Sequence, residues 1–358
     1  MTFIVQPLVA FFLTAALIVW LRRPALHLGM VDEPSARKRH GATVPLTGGV
    51  AIAVSCSVTL LASMHALGSY QVLFICALLL AVIGILDDLR EISPRAKLGV
   101  EVVVGVLMCS WGSHYLMSLG NILGTGPIDL ANWAIPLTVF ATVAVINAVN
   151  MLDGADGLAG SLTVVMLSFF AYFAWQGANP IALKVIVVVA GAVAGFLVFN
   201  LPHRHVGRLR AFLGDTGSLV LGFTIVWFTI ELTQKPSGAT VPPVVMLWVV
   251  GVVLFDLFTV TVRRLLKRRN PTAPDRAHVH HVLMRCGMSG GVTVATIVGA
   301  NAALGLLGTV GWRAGLSEPV LFVGFMIIGL LYLAAFLDPA RLIQWSRLRG
   351  RANKPARQ

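Results

Sequence analysis

The 358-residue chain is 57% hydrophobic and 12% charged, about half the charge of an ordinary soluble domain, and its mean hydropathy is +0.85. These values exclude a cytosolic globular protein and call for repeated apolar runs near the ~20 residues that cross a bilayer. A net charge of +12 would raise nucleic acid as a partner in a soluble protein, but its placement along the chain points to the membrane instead.

Eleven apolar spans are expected, near residues 3–21, 46–66, 71–86, 98–116, 133–150, 158–175, 180–199, 217–233, 242–262, 291–311 and 319–337. The chain left between them is too scattered for a separate domain of ~100 residues. The expected architecture is therefore an all-α, polytopic integral membrane protein, with residues 1–338 as a single transmembrane unit and 339–358 as a basic cytoplasmic tail whose end is mobile. The first span precedes Arg22 and Arg23 and shows no small-residue cleavage site, so it reads as a retained helix and not a secretory signal. With the loop after it in the cytoplasm, 24 of the 27 basic residues fall on that side, leaving out Lys184, Lys235 and Arg313. This bias predicts the amino terminus outside and the carboxyl terminus inside. Cys56, Cys76 and Cys109 lie within spans and Cys286 in a loop, which suggests neither disulfides nor a metal motif.

Ten of the 15 carboxylates gather on the same expected cytoplasmic face, where acids beside a membrane point to a binding site. Asp129, Glu231 and Glu318 fall on the outer side and read as solvated. Asp87 and Asp88 follow the third span at its carboxyl end, where the helix dipole disfavours them, so the pair asks for a metal or a basic group such as Lys97. In NAVNMLDGADGLAG, residues Asn147, Asn150, Asp153 and Asp156 recur every third position, and Gly154 and Gly157 are expected to open the helix so that hard oxygen ligands converge. A helix-ending turn with caps is the plainer alternative. Asp215 in FLGDTGSLVLG reads either as the cap of the next span or as a metal ligand beside amides that face phosphate. In PDRAHVHH, Arg276 suits a phosphate, and His278 and His280 share a direction only in an extended chain. Zinc and simple solvation remain alternatives for these histidines. Glu101 is expected to pair with Lys97 one turn earlier, and Asp256 to neutralise Arg263 or Arg264.

Asp87-Asp88 with Lys97, the NxxNxxDGxDGLAG run, GDTGS and PDRAHVHH follow one another in this order. Together they resemble the polyprenyl-phosphate N-acetylhexosamine-1-phosphate transferases, most of all their WecA-like branch, over nearly the whole chain. His278-Val279-His280-His281 differs from the three consecutive histidines of the related MurNAc-pentapeptide transferases. The resemblance implies a catalytic membrane domain that joins UDP-GlcNAc to undecaprenyl phosphate with release of UMP, dependent on Mg2+ or Mn2+. It implies Asp215 and Asn150 as metal ligands and Asp87, Asp88, Asp153 and Asp156 as the catalytic acids. Lys97, Asn147, Arg276, His278, His280 and His281 are implied to bind the substrates. The expected setting is the cytoplasmic face of a bacterial inner membrane, with a homodimer as candidate assembly and no nucleic acid.

Joining two phosphates brings anions together, so a metal, Lys97 and Arg276 suit the charge that builds in the transition state. Direct in-line attack by the lipid phosphate, aligned by Asp87, is the favoured route, and a phosphoryl-aspartate intermediate is the other. Other UDP-N-acetylhexosamines are alternative donors. A secondary transporter is the alternative class, although the acids gather at one face and no two-half repeat is visible.

Overall fold

The computed structural model describes residues 2–32, 43–63, 68–202, 207–234, 241–268 and 278–352. In chain order they form α1 (Thr2–Leu28), β1 (Val31–Asp32), β2 (Val44–Pro45), α2 (Gly48–Ser63), α3 (Gln71–Leu89), α4 (Pro94–Ser110), α5 (Ala134–Leu152) and α6 (Leu158–Gln176). There follow α7 (Pro180–Asn200), α8 (Gly214–Glu231), α9 (Pro243–Val249), α10 (Gly251–Leu266), α11 (Val279–Arg285), α12 (Gly290–Arg313), α13 (Glu318–Phe336) and α14 (Pro339–Ala352). Among the described residues helix dominates, as composition requires; the departures are a two-residue antiparallel ladder that pairs Val31 with Pro45 and Asp32 with Val44, and an isolated bridge between Ser118 and Asp129.

Among the described residues, seven helices are long and apolar enough to cross a membrane: α1, α3, α5, α6, α7, α12 and α13. The expected span 242–262 is not one straight helix, because α9 and α10 meet at 78° and count as an eighth crossing if taken together. No proline marks the break. Asn301 of α12 bridges it instead, donating through Nδ2 to the Val249 carbonyl at 3.0 Å and accepting from the Val252 amide at 3.2 Å. A broken helix persists in an apolar interior when another helix satisfies the freed backbone groups in this way. Asn301→Ala would leave a buried donor and acceptor unpaired, and is expected to cost about 1–3 kcal/mol. Thermal unfolding of the purified protein in detergent measures it; an unchanged midpoint would show that water serves the break equally well.

The helices α2, α4 and α8 fall short of a membrane-crossing helix by length or composition. For α8 the surroundings explain this. Nearly every residue from Thr216 to Glu231 is buried, and α2, α3, α5, α6 and α9 all pack against it. A helix enclosed by other helices has no lipid-facing stripe to maintain and can carry polar ends. Close approach is part of the design: a Cβ on Gly222 would stand 2.8 Å from Cα of Ile146 in α5. The periphery shows the opposite, with α13 burying Leu321 and Phe325 while Val320, Val323, Ile327, Leu330 and Leu331 face outward as a lipid-facing surface would.

At the Glu231 end of α8 the structure corrects the expectation of solvated acids. Glu231 is buried and accepts from the Tyr70 hydroxyl at 2.5 Å, Trp227 Nε1 at 2.7 Å and Asn179 Nδ2 at 3.3 Å. Glu318 accepts from the Asn121 amide at 3.0 Å. These acids fasten loops to helix ends, which sequence position could not reveal.

Candidate active site

At the other end of α8, the last turns of α3 and α5 and the first turns of α4 and α8 converge. Asp87 ends α3 with both oxygens engaged, Oδ1 accepting from the Ile92 amide at 2.7 Å and Oδ2 from Lys97 Nζ at 3.0 Å. Lys97 donates at the same time to Asp215 Oδ2, so one ammonium holds carboxylates of two helices. The expected cation beside the acidic pair is thus Lys97, but it serves Asp87 and not Asp88. Asp88 turns to the amino terminus of α8, accepting from the Asp215 amide at 2.8 Å, the Thr216 amide at 3.1 Å and Thr216 Oγ1 at 2.7 Å. The positive end of the α8 dipole supplies what the α3 terminus lacks.

This arrangement also corrects the reading of Asp215 as the cap of its own helix. Asp215 is the second residue of α8, behind Leu213 and Gly214, and the cap comes from Asp88 in α3. Gly214 is required here: its φ is +70°, and a Cβ would stand 2.6 Å from Asp88 Oδ2. With its amide taken, Asp215 is free to present its carboxylate sideways to Lys97 and to Asn150, whose Nδ2 donates to Oδ1 at 3.1 Å and to Ser218 Oγ at 2.8 Å.

The three-residue series in α5 does not converge as a set. Asn147 turns to Glu101, which therefore holds α5 to α4, while Lys97 makes its ion pairs with Asp87 and Asp215. Helix α5 ends at Leu152, as the glycines suggested, and the turn that follows is held by the Gly157 amide donating to Asn200 Oδ1 at 2.7 Å. Asp156 pairs with Arg210, a residue the motifs did not flag although it lies only five positions before Asp215. Among the described residues no group donates a hydrogen bond to Asp153. Burial, then the charges of Asp215, Asp88 and Asp156, hold its carboxyl well above the usual carboxylate range.

The histidines close the site from α11. His280 is fully buried against Gly154, and among the described residues no hydrogen-bond partner serves either ring nitrogen. Burial, with His281 and His278 beside it, lowers its pKa to about 3, so the ring is neutral. His281 packs on it with ring centres 4.1 Å apart. His278 directs Nδ1 to Asp256 Oδ2 at 2.7 Å, and its ring runs nearly parallel to that of His280, at 13° and 6.2 Å. The residue between them begins a helix, so the extended chain expected over 278–280 is replaced by a helix start. Asp256 thus faces the histidine loop, where Arg263 and Arg264 had been expected as its partners. Arg276 lies outside the described residues.

Fold and site together define a multi-pass helical membrane protein with a polar, carboxylate-rich site at one end of its bundle. Comparison with known proteins is consistent with this. The sequence pattern described as glycosyl transferase family 4 matches residues 70–233. An undecaprenyl-phosphate alpha-N-acetylglucosaminyl 1-phosphate transferase of Escherichia coli O157:H7 is 35% identical over 330 residues, covering 91% of this chain and 87% of its own length. Proteins of the same name from Yersinia pestis and Haemophilus influenzae are 33% and 35% identical, over 90% and 94% of this chain and 88% and 95% of their own. The chain belongs to glycosyl transferase family 4, among the polyprenyl-phosphate N-acetylhexosamine-1-phosphate transferases whose motifs it carries. It is accordingly a glycosyl-1-phosphate transferase.

Proposed function

We propose that the chain transfers N-acetylglucosamine 1-phosphate from UDP-GlcNAc to undecaprenyl phosphate, releasing UMP, at the cytoplasmic face of a bacterial inner membrane. The observation that carries this reading is the Lys97 bridge between Asp87 and Asp215, set at a helix-bundle end in a chain about one-third identical to transferases of that name. Eleven crossings with the amino terminus outside belong to the same proposal. Each expected span falls on one helix or on the bent α9–α10 pair, and the basic residues crowd the loops on the Asp87 side.

Mg2+ or Mn2+ belongs to the proposal through the donor set. Asp153 is a carboxylate without a donor among the described residues, crowded by the charges of Asp88, Asp156 and Asp215, and a divalent cation would relieve that repulsion. Among the described residues no three His, Cys, Asp or Glu side chains form a preformed cage. That suits an ion held by one or two carboxylates and otherwise by water and phosphate. Asp215, Asp153 and the amide oxygen of Asn150 would hold it. The bound ion would supply charge neutralisation on the phosphate oxygens.

The residues of the chain do the rest. The lipid phosphate, with a second pKa near ~6, is largely dianionic at neutral pH and needs no strong base. Its oxygen attacks the β-phosphorus of UDP-GlcNAc, the bond from that phosphorus to the bridging oxygen breaks, and UMP leaves with the electron pair. Lys97 sits where it offsets charge on the phosphates as they close. Both oxygens of Asp87 and of Asp88 are engaged, which favours an aligning role over a covalent one. Purified protein with undecaprenyl phosphate, Mg2+ and a panel of UDP-sugars should release UMP with UDP-GlcNAc and yield a lipid product of matching mass. Chelation should abolish turnover, and Mg2+ or Mn2+ should restore it. Folded protein that turns over no UDP-N-acetylhexosamine would end the proposal, and turnover unaffected by chelation would remove the metal from it.

A further inference from the structure

Residues 339–358 carry six basic residues and no acid, and nothing in the chemistry above uses them. Their described part is α14, parted from α13 by Leu337 and Asp338. Asp338 caps it, Oδ1 accepting from the Arg341 amide at 3.4 Å, and Pro339 suits its first turn. At 14 residues, several of them arginine, α14 is too short and too polar to cross a bilayer. Its sides differ. Pro339 is buried and Leu342, Ile343 and Ser346 are half-buried in a helix that packs on α11 and α13, while Arg341, Gln344 and Trp345 are exposed, Trp345 by 55%. The last turn of α10 reaches the same corner. Arg263 Nη1 donates to the Phe336 carbonyl at 3.3 Å, and beyond it Leu265 and Leu266 stand 57% and 68% exposed beside exposed Lys267 and Arg268. Apolar side chains and cations thus share one surface, at the end of the bundle where α11 sets His280 against Gly154.

Two leucines and a tryptophan so exposed to water would be a liability. At a bilayer surface the same groups enter the headgroup boundary and the cations meet lipid phosphates. The lack of any acid from 339 onward sets the sign of the partner: zwitterionic headgroups offer such a stretch no net charge, and anionic ones do. We infer that α14 and the last turn of α10 form a docking surface for anionic phospholipid headgroups, and that a bilayer so engaged holds α14, and with it α11, beside the catalytic turn. The occupant is the phospholipid of the membrane, not the undecaprenyl phosphate that reacts. The link to turnover rests on the transferase reading, whereas the docking itself does not.

The test uses full-length purified protein in phosphatidylcholine nanodiscs doped with brominated phosphatidylglycerol or with brominated phosphatidylcholine. The difference in fluorescence between the unaltered protein and Trp345→Phe isolates Trp345. That signal should be quenched at about fivefold lower mole fraction of the anionic lipid, roughly what one cation at an anionic surface contributes. Replacing Arg341, Arg347, Arg349 and Arg351 together by glutamine should abolish the preference, and replacing them by lysine should keep it. UMP release at saturating substrates, where depletion of UDP-GlcNAc near an anionic surface no longer matters, should be about fivefold faster with phosphatidylglycerol than without it. The glutamine variant should be indifferent to the lipid, with KM for undecaprenyl phosphate within twofold of that of the unaltered protein. Equal quenching by the two lipids overturns the inference. Turnover of the unaltered protein that ignores phosphatidylglycerol overturns the link to α11. A raised KM for undecaprenyl phosphate with no preference for phosphatidylglycerol would assign the cations to the lipid substrate, and that too overturns it. If the unaltered protein releases no UMP in any lipid, the transferase reading fails, and quenching alone decides the docking surface.

Discussion

Asp215→Asn is expected to lower UMP release by about 10³-fold or more, the scale at which removal of a charge-stabilising group acts on a reacting centre. The carboxylate sits where four helices meet: Lys97 of α4 donates to one oxygen, Asn150 of α5 to the other, and the residue's own amide is held by Asp88 of α3. Asparagine preserves shape and the amide contact, so the fold should survive with a midpoint of unfolding close to that of the unaltered protein. What it removes is the negative charge facing Lys97 and the proposed cation. The Mg2+ concentration for half-maximal residual rate should therefore rise. Turnover within tenfold of the unaltered protein, with an unshifted Mg2+ dependence, would take Asp215 out of the site.

Lys97→Met should be nearly as damaging to turnover, by about 10²- to 10³-fold, and unlike the first substitution it should also cost stability. The ammonium lies between Asp87 and Asp215, with side chains 20%, 16% and 28% exposed, so its loss leaves two carboxylates facing each other in partial burial. Breaking a buried pair in this way costs about 3–5 kcal/mol when fully enclosed, and water at this site reduces the figure to about 1–3 kcal/mol. The double variant Lys97→Met with Asp215→Asn should recover most of the lost stability and none of the activity. Measuring thermal midpoint and UMP release on all three variants decides it. A stable, inactive single variant would show that Lys97 serves substrate alone, and a double variant no more stable than Lys97→Met would show that like-charge repulsion is not the cause.

Much of this arrangement was legible in the residues, and the limits of that legibility are physical. Periodicity and hydropathy place the helices well because a lipid-facing side chain has one acceptable chemistry. The same logic fails for α8, where enclosure by protein relaxes it, and for the α9–α10 break, where an asparagine some 50 positions later supplies the hydrogen bonds. Motif reading names the residues that meet at the site but misassigns several partners. Local spacing suggested Lys97 with Glu101, Asp256 with Arg263 or Arg264, and Asp215 as its own cap. In each case the observed partner comes from elsewhere in the chain: Glu101 holds Asn147 of α5, Asp256 holds His278 just ahead of α11, and Asp88 of α3 caps α8. Spacing rules describe neighbours on one helix, whereas a bundle satisfies its buried charges across helices. Arg210 was discoverable, since a basic residue just ahead of GDTGS stands near any acid of that face.

The enclosure of α8 also bears on how the protein is made. Translation produces α1 to α7 first, and four of the five helices that pack on α8 belong to that set, yet the element that passes through their midst arrives after them. Until residues 214–231 emerge, Asp88 has no amide to bind, Lys97 lacks one of its two carboxylates, and Gly84 faces a vacancy where the α8 backbone will lie. The nascent bundle must therefore stay open along one seam long enough to admit a helix too polar to wait in lipid. Closing that seam and assembling the reaction centre are one event.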